Sequence, residues 1–498
     1  MSALGIIKDR SLTYEQQVLN LARNAENDVD VLEVSKETER LRESGVICDL
    51  FEGAAPYRPR YILPDYEKLL REGSEFLRLT PAETLWDAVN HLLIMYKHVP
   101  SITAQPVYVG NLDTLLEPFA DGEEEATVRQ AIRFLLVHLD RTITDSFCHA
   151  NIGPHETKVG RMILELERAL QNSVPNITLK YEEGITSDEF ALEAIKTTLA
   201  VAKPSFANHT MFSTDLDAQY GIASCYNGLP IGGGAYTLVR LVLARLADEA
   251  DGIEDFLENV LPKAVNEMAD YIDERIRFLV EESAFFDSNF LVQEGFIKKD
   301  RFTAMFGLVG LAECVNHLLG VEKQDERFGY AKEADELGLR IITVMQEQLR
   351  KCKNRHCEFS NGHHLLHAQV GIDTDLGISP GCRIPIGEEP ILPEHLVQTS
   401  QFHKYFPSGI GDIFPFDETA TRNPKYVLDV VKGAFRSGMR YFSAYGDDCD
   451  VIRITGYLVK KSDMEKLDRG EAVLNDAVVL GLGAAKNSKI LERKVRNV

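Results

Sequence analysis

The sequence lacks the features of nucleic-acid-binding, membrane and disulfide-rich proteins. Its 498 residues include one Trp, and 77 acidic side chains outnumber 54 Lys and Arg, which gives a net charge of −23. So acidic a chain is repelled by nucleic acids and anionic membranes, and we expect neither as a partner. The sequence shows no apolar run of about 18 residues and no apolar leader at its N-terminus, so a cytoplasmic protein is expected.

Cysteine motifs are also scarce. The eight cysteines lack the density and rhythm of a disulfide framework. Neither a CxxC pair, common among zinc ligands, nor a CxxxCxxC iron–sulfur motif occurs. Two cysteines and four histidines between 352 and 367 could form a zinc site, but the C-x4-C spacing is unusual and we expect no metal. The six are Cys352, His356, Cys357, His363, His364 and His367.

The remaining patterns are those of a large globular protein, with 44% hydrophobic and 26% charged residues. Strands, helices and proline turns alternate over residues 157–234, which is typical of an α/β fold. Residues 177–181 are predicted as a strand, and residues 187–202 and 253–282 as helices. Two apolar segments, 235–247 and 302–319, are also predicted as helices. A capping box at Thr80-Pro81-Ala82-Glu83 is predicted to start another.

Residues 451–459, VIRITGYLV, stand out near the C-terminus. Val451 to Ile454 form a short β run, Thr455-Gly456 is predicted to be a turn, and Tyr457 begins a second extended segment. A glycine in such a turn is usually explained by its freedom to take positive φ.

A second candidate loop is Gly221 to Gly234, GIASCYNGLPIGGG, which places Cys225 between glycines. A lone cysteine in such a loop is more often a buried packing residue than a reactive one. The three consecutive glycines, 232–234, could cradle a phosphate, but no GxxxxGK[ST] motif accompanies them. We expect them instead to give clearance to the loop around Gly456.

The two loops together carry a resemblance. Arg453, Gly456 and Tyr457 occur at the spacing and C-terminal position of the glycyl radical enzyme signature, and Cys225 lies where that superfamily has its radical cysteine. The overall pattern is most similar to the YjjI-like branch. The resemblance implies a ten-stranded α/β barrel of two parallel half-sheets, surrounded by helices, with the cysteine and glycine loops at its centre. It further implies a barrel domain over residues 1–422 and a glycyl radical domain over 423–498.

The chemistry of such an enzyme suits these residue types. Without a Cβ, the α-carbon of Gly456 can flatten and delocalise an unpaired electron, and the S–H bond of Cys225 is close enough in strength to relay it. The resemblance implies no bound cofactor, because a separate S-adenosylmethionine-dependent iron–sulfur enzyme installs the radical. It implies anaerobic, oxygen-sensitive C–O or C–C bond cleavage, or rearrangement, of a small polar metabolite. Whether the chain is a homodimer stays open.

Departures from the better-known branches leave the reaction open. The dehydratases carry a glutamate where this chain has Asn227, and pyruvate formate-lyase has a cysteine where this chain has Ser224. The anaerobic ribonucleotide reductases carry CxxC zinc ligands, which are absent here. A ribonucleotide-reductase-like enzyme and a non-catalytic ligand-binding barrel therefore remain alternatives.

Six residues are candidates for lining a substrate cavity. Arg383 would suit a carboxylate or phosphate on the substrate. The set is Asn227, Asn208, His209, His363, Cys382 and Arg383.

Overall fold

A computed structural model describes residues 2–26, 29–50, 55–99, 107–142, 148–370, 375–454, 457–475, 493 and 495. Within these ranges, strands and helices alternate through most of the chain. The strands are β1 (Ile47–Cys48), β2 (Tyr61–Leu63), β3 (Val107–Asn111), β4 (Cys148–Ile152), β5 (Asn176–Tyr181), β6 (Ser205–Asn208), β7 (Tyr220–Ile222), β8 (Gly228–Pro230), β9 (Gly233–Val242), β10 (Phe302–Val309), β11 (Leu365–Ala368), β12 (Asp412–Phe416), β13 (Tyr441–Gly446), β14 (Val451–Ile454) and β15 (Tyr457–Lys460).

The α-helices follow the same order. They are α1 (Ala3–Lys8), α2 (Tyr14–Glu26), α3 (Lys36–Glu43), α4 (Tyr66–Glu72), α5 (Leu85–Tyr96), α6 (Leu112–Ala120), α7 (Glu125–Thr142), α8 (Lys158–Leu170), α9 (Asp188–Val201), α10 (His209–Leu216), α11 (Leu243–Leu246), α12 (Ile253–Asp255), α13 (Leu261–Arg277), α14 (Phe285–Ser288), α15 (Phe290–Gln293), α16 (Leu311–Leu319), α17 (Lys332–Leu349), α18 (Leu392–His403), α19 (Glu418–Arg422), α20 (Pro424–Arg436) and α21 (Lys461–Asp468). A π-helical segment, Phe256–Val260, joins α12 to α13, and a second, Phe278–Glu282, extends α13.

Local capping fixes several helix starts. Helix α9 begins at Asp188, one residue later than predicted, because the Ser187 hydroxyl caps it by accepting the Phe190 N–H. The capping box of α5 lies four residues later than predicted, at Thr84 and Asp87. The predicted start at Thr80 was wrong because the Ala82 N–H is held by the Leu70 carbonyl of α4, which keeps this segment outside the helix.

Ten strands form one continuous sheet in the order β11-β10-β9-β2-β3-β4-β5-β6-β13-β12, with β1 added beside β9. Neighbours from β2 to β6 are parallel, as are β9 to β11 and β12 with β13. The two seams, β2 with β9 and β6 with β13, are antiparallel. The sheet therefore has a first half-sheet of five parallel strands, β2 to β6. It is flanked by β9 to β11 on one side and by β13 with β12 on the other, which all run in the opposite direction, and helices surround the whole. This confirms the predicted fold class.

Two segments predicted as helices are partly strands. Residues 233–242 form β9, and residues 302–309 form β10 before α16 begins. Both strands are buried at every position, so their apolar residues run continuously instead of alternating. Such a run does not distinguish a buried strand from a buried helix.

The first two glycines of β9 give clearance to the backbones of β2 and of the segment before β10. A Cβ on Gly234, whose φ is +155°, would lie 2.0 Å from the carbonyl oxygen of Tyr61. A Cβ on Gly233 would lie 1.9 Å from the Arg301 carbonyl oxygen. Only glycine allows these backbones to approach so closely.

Side chains on the two faces of the sheet belong to two different buried clusters. Tyr441 and Tyr445 of β13 pack in one cluster, and Phe442 and Ala444 in the other, as expected when successive side chains point to opposite faces. We call the first set the interior cluster. Its members are Val201, Ala202, Ala207, Phe212, Leu216, Tyr220, Ile222, Cys225, Tyr226, Val370, Ile413, Tyr441, Tyr445, Val451, Ile452, Ile454, Leu458, Val459, Met464, Leu467 and Val473.

Among the described residues, every helix is too short or too polar to cross a bilayer.

Candidate active site

Cys225 lies at the turn of a hairpin inside the sheet. Strands β7 and β8 pair antiparallel on either side of it, and the Asn227 carbonyl closes the turn by accepting the Ala223 N–H at 3.0 Å. The thiol is buried, with 4% of the residue exposed. This is the cysteine loop that the sequence predicted.

Polar side chains from the surrounding strands hold this loop. The Asn151 amide of β4 accepts the Ile222 N–H at 2.8 Å and donates to the Ile222 carbonyl at 3.0 Å. The Lys180 ammonium of β5 donates to the Tyr220 carbonyl at 2.6 Å. On the far side of the turn, the Gly228 N–H bonds the Ser408 carbonyl at 2.9 Å. Three points of backbone attachment therefore fix the loop.

Burial keeps the thiol protonated. It raises the pKa of Cys225, while the Ser224 hydroxyl and the guanidiniums of Arg453 and Arg383 act weakly in the opposite direction. Nucleophilic cysteines are usually thiolates with a lowered pKa. A neutral S–H is instead the form that can give up a hydrogen atom.

The predicted strand–turn–strand at 451–459 is present as a second hairpin. Strands β14 and β15 pair antiparallel, with Ile454 opposite Tyr457. Thr455 and Gly456, the two residues between these strands in the sequence, lie outside the described residues. Five hairpin residues pack in the interior cluster with Cys225. They are Val451, Ile452, Ile454, Leu458 and Val459.

Arg453 ties this hairpin to the first half-sheet. Its Nη2 donates to the Asn176 side-chain oxygen of β5 and to the Ala202 carbonyl, each at 3.0 Å. The Asn176 amide nitrogen in turn contacts the His149 ring at 2.7 Å. Since Arg453 is 1% exposed and acts on the Cys225 pKa, its guanidinium lies in the same interior as the thiol.

Four of the predicted substrate-lining residues lie around the cysteine loop. Asn227 donates to the Tyr61 hydroxyl at 3.1 Å. The Arg383 guanidinium lies over the Tyr226 ring, with Cζ 5.8 Å from its centroid, and Cys382 is close enough to Tyr226 to raise that hydroxyl's pKa. His209 bonds the Tyr220 hydroxyl through Nδ1 at 2.9 Å.

The other two occupy different settings. Asn208 caps α10 by accepting the Met211 N–H and donates to the Met439 carbonyl at 3.1 Å. His363 is half-buried in the loop before β11, and no contact within the described ranges links it to Cys225.

The Cys352 to His367 group does not converge on one point. His356 bonds Glu281 and His364 bonds Asp273, whereas His367 lies against the Tyr226 ring, 5.6 Å between centroids. In the ranges that the structure describes, no three His, Cys, Asp or Glu side chains are arranged to hold a metal ion.

Sequence reasoning missed Asn151, Lys180 and Tyr61. Each is a residue with a hydrogen-bonding side chain in a strand that is buried at every position, and burial cannot be seen in the sequence. Burial lowers the pKa of Lys180 to about 7, partly offset by Asp113, so the charged form is costly here, and its hydrogen bond to the Tyr220 carbonyl offsets part of that cost.

Comparison with known proteins agrees with this geometry. The family model described as "Glycyl radical enzyme YjjI-like" matches residues 12–496. An uncharacterized protein of Haemophilus influenzae is 45% identical over 500 residues, covering 99% of this chain and 97% of its own. The uncharacterized protein YjjI of Escherichia coli is 42% identical over 494 residues, covering 99% and 95%.

Solved structures share the fold at low identity. The B12-independent glycerol dehydratase of Clostridium butyricum superposes with a TM-score of 0.70 at 12% identity, covering 97% of this chain and 85% of its own. The anaerobic ribonucleotide reductase of Thermotoga maritima gives 0.66 at 14% identity, covering 87% and 85%. The family model, which covers almost the whole chain, defines the class as that of the glycyl radical enzymes. The chain belongs to the YjjI-like family within it, and so is an enzyme.

Proposed function

We propose that the chain stores a radical on the α-carbon of Gly456 and passes it to the substrate through the sulfur of Cys225. The observation that carries this proposal is the shared interior cluster. The hairpin strands that precede and follow Gly456 pack against the same buried residues as the cysteine loop.

The steps follow from hydrogen-atom transfer. The Gly456 radical takes the hydrogen atom of the Cys225 S–H, which leaves a thiyl radical. The thiyl takes a hydrogen atom from a substrate carbon, and the substrate radical then loses a C–O or C–C bond or rearranges. The product radical recovers the hydrogen atom from Cys225, and the thiyl regains one from Gly456. The four hydrogen-atom transfers cancel over one turnover, so no net oxidant is consumed.

The surroundings of Cys225 favour this relay over ionic chemistry. The thiol is buried and neutral, and a buried site shields radicals from water and stray hydrogen donors. Asn227 cannot take up a proton at neutral pH as a glutamate would. Proton transfer to or from the substrate therefore falls to another group or is not required.

The substrate is proposed to be a small polar metabolite bound near Asn227, His209, Cys382 and Arg383. Members of this enzyme class receive their radical from a radical S-adenosylmethionine activase, and we propose such a partner here. Residues 423–498 are proposed as a glycyl radical domain that leaves the barrel for activation. One strand of that segment, β13, belongs to the main sheet, so any such movement must begin after it or open the β6 seam.

Electron spin resonance tests the proposal. Anaerobic activation with the cognate activase should give a doublet from the single α-hydrogen of Gly456, and Gly456→Ala should abolish it. Oxygen should then cleave the activated chain and release residues 457–498. If a competent activase produces no signal, or if the Gly456→Ala protein gives the same doublet, the proposal fails.

A reductase acting on nucleotides is the second candidate, favoured only by the likeness to the Thermotoga maritima enzyme. It predicts consumption of ribonucleotides by the activated protein. A metabolite screen that includes them separates the two reactions.

A further inference from the structure

The first two helices, α1 and α2, contribute little to the hydrophobic core. Ile6 and Leu12 are buried, but among the described residues neither buried hydrophobic cluster includes a side chain from residues 2–26. Two large side chains of these helices, Leu4 and Tyr14, are more than half exposed. Segments with few buried apolar contacts open at a low free-energy cost. We call α1 and α2 the N-terminal helical pair.

Gln16 joins this pair to the C-terminal part of the chain. The residue is completely buried, and its Nε2 donates to the Val473 carbonyl at 3.1 Å. Its Oε1 accepts the Thr13 N–H at 2.8 Å, and the Thr13 hydroxyl accepts the Gln16 N–H at 3.3 Å. These reciprocal hydrogen bonds form a capping box at the start of α2. The cap therefore fixes the Gln16 side chain with its amide nitrogen against Val473.

Val473 belongs to the segment that carries the second hairpin. We call residues 451–454 and 457–475 the radical segment; they include β14, β15 and α21. Val473 packs in the interior cluster together with seven other side chains of this segment. The seven are Val451, Ile452, Ile454, Leu458, Val459, Met464 and Leu467. The Gln16 hydrogen bond therefore attaches the N-terminal helical pair to the C-terminal end of the radical segment.

Other polar contacts hold the radical segment to the core. Arg453 donates to the Asn176 side chain of β5 at 3.0 Å, and Asn475 donates to the Ser173 hydroxyl at 2.8 Å. Both partners lie in β5 or directly before it, so they are part of the main sheet and its connections. The Gln16 contact differs, because its helix lies outside both buried clusters. It is an attachment that can separate without disturbing the sheet.

We propose that the N-terminal helical pair is a clip that holds the radical segment in the barrel, and that Gln16 must detach from Val473 before this segment is released. This rests on the proposed function, in which the segment leaves the barrel for activation. Without the Gln16 donor, the buried Val473 carbonyl loses a hydrogen bond, which disfavours the closed state. Release from this end of the chain leaves β13 in the main sheet, paired with β12.

Hydrogen–deuterium exchange of the protein without a radical tests the clip. Gln16→Glu is the decisive variant, because a carboxylate can still accept the Thr13 N–H and cap α2 but has no N–H to donate to Val473. Where closing is faster than exchange, we expect the amides of residues 457–475 to exchange about 5- to 30-fold faster in Gln16→Glu. Gln16→Ala, which also removes the cap, should show at least the same effect.

Gln17→Ala is the matched control. The neighbouring Gln17 side chain donates to the Asp9 carbonyl at 3.0 Å, a contact within the N-terminal helical pair. Its loss should leave exchange in residues 457–475 unchanged. The fully buried strand β10, residues 302–309, is the internal reference, and its exchange should stay the same in all three variants.

Four results would overturn the inference. The first is unchanged exchange in residues 457–475 of Gln16→Glu, and the second is a change confined to residues 471–475, which would be fraying of one end. The third is an equal change in Gln17→Ala, which would mean general loosening of the helices. The fourth is an equal rise in β10, which would mean global destabilisation. Because neither radical nor activase enters these measurements, their failure is distinguishable from a missing spin resonance signal.

Discussion

Replacing Asn151 by alanine should loosen the cysteine loop. The Asn151 side chain satisfies both backbone groups of Ile222, which are fully buried. Its removal leaves a buried N–H and a buried carbonyl unpaired, at about 1–2 kcal/mol each, or about 2–4 kcal/mol together. If the cost falls on local opening of the loop, that opening becomes about 30- to 1000-fold more frequent.

The rate at which iodoacetamide alkylates Cys225 measures this opening directly. We expect the rate to rise by the same factor in Asn151→Ala, under conditions where the loop closes faster than the reagent attacks. Asn316→Ala is the control, because the Asn316 side chain accepts the Phe328 N–H at 2.9 Å far along the chain and should not affect Cys225. Equal Cys225 labelling in wild type and Asn151→Ala would refute the positioning role of Asn151.

Three further predictions follow from the same structure. Burial and Arg440 lower the pKa of His403 to about 3. Below about pH 6.5 the unfolded chain therefore binds a proton at this histidine and the folded chain does not, so stability should fall on acidification. His403→Gln should remove about 1 kcal/mol of the stability lost between pH 7 and 5.5. Arg240 pairs through both Nη atoms with Asp375, each at 2.7 Å, so Asp375→Ala should destabilise the protein to denaturant by about 3–5 kcal/mol. Cys225→Ser should retain the glycyl doublet after activation but consume no metabolite, because an O–H bond is too strong to yield its hydrogen to the α-carbon radical.

Each of these has an outcome that would contradict it. An unchanged pH dependence in His403→Gln would mean that its ring is not held neutral. If Asp375→Ala unfolds like wild type, the Arg240 charge has another buried partner. Turnover by Cys225→Ser would remove this residue from the reaction.

The sequence predicted the two hairpins because both are short, local and punctuated by glycine. It predicted the class of fold through resemblance, since the pairing of ten strands depends on contacts between distant segments. The helices predicted over the residues of β9 and β10 were wrong, because complete burial removes the alternation of polar and apolar residues that marks a strand. The attachment of Ile222 to Asn151 joins residues 71 positions apart, so local sequence could not predict the pairing.

The candidate site also contains residues that the sequence could indicate and contacts that it could not. Cys225 and Gly456 could be proposed from the resemblance, because the radical chemistry it implies demands particular atoms from particular residue types. Arg383 could be named from its charge, but its position over the Tyr226 ring and the hydrogen bonds of Arg453 to Asn176 and Ala202 are facts of tertiary structure. Asn208 shows the limit, because an asparagine that caps a helix looks the same in sequence as one that binds a substrate.

The central claim is that the α-carbon of Gly456 faces the sulfur of Cys225, and cross-linking tests it most directly. A disulfide requires the two α-carbons to lie within about 7 Å. Mild oxidation of Gly456→Cys should therefore join positions 225 and 456, seen as one linked peptide pair by mass spectrometry and lost in Gly456→Cys combined with Cys225→Ser. No cross-link in the folded variant, or a link from position 456 to a different cysteine, would contradict the account.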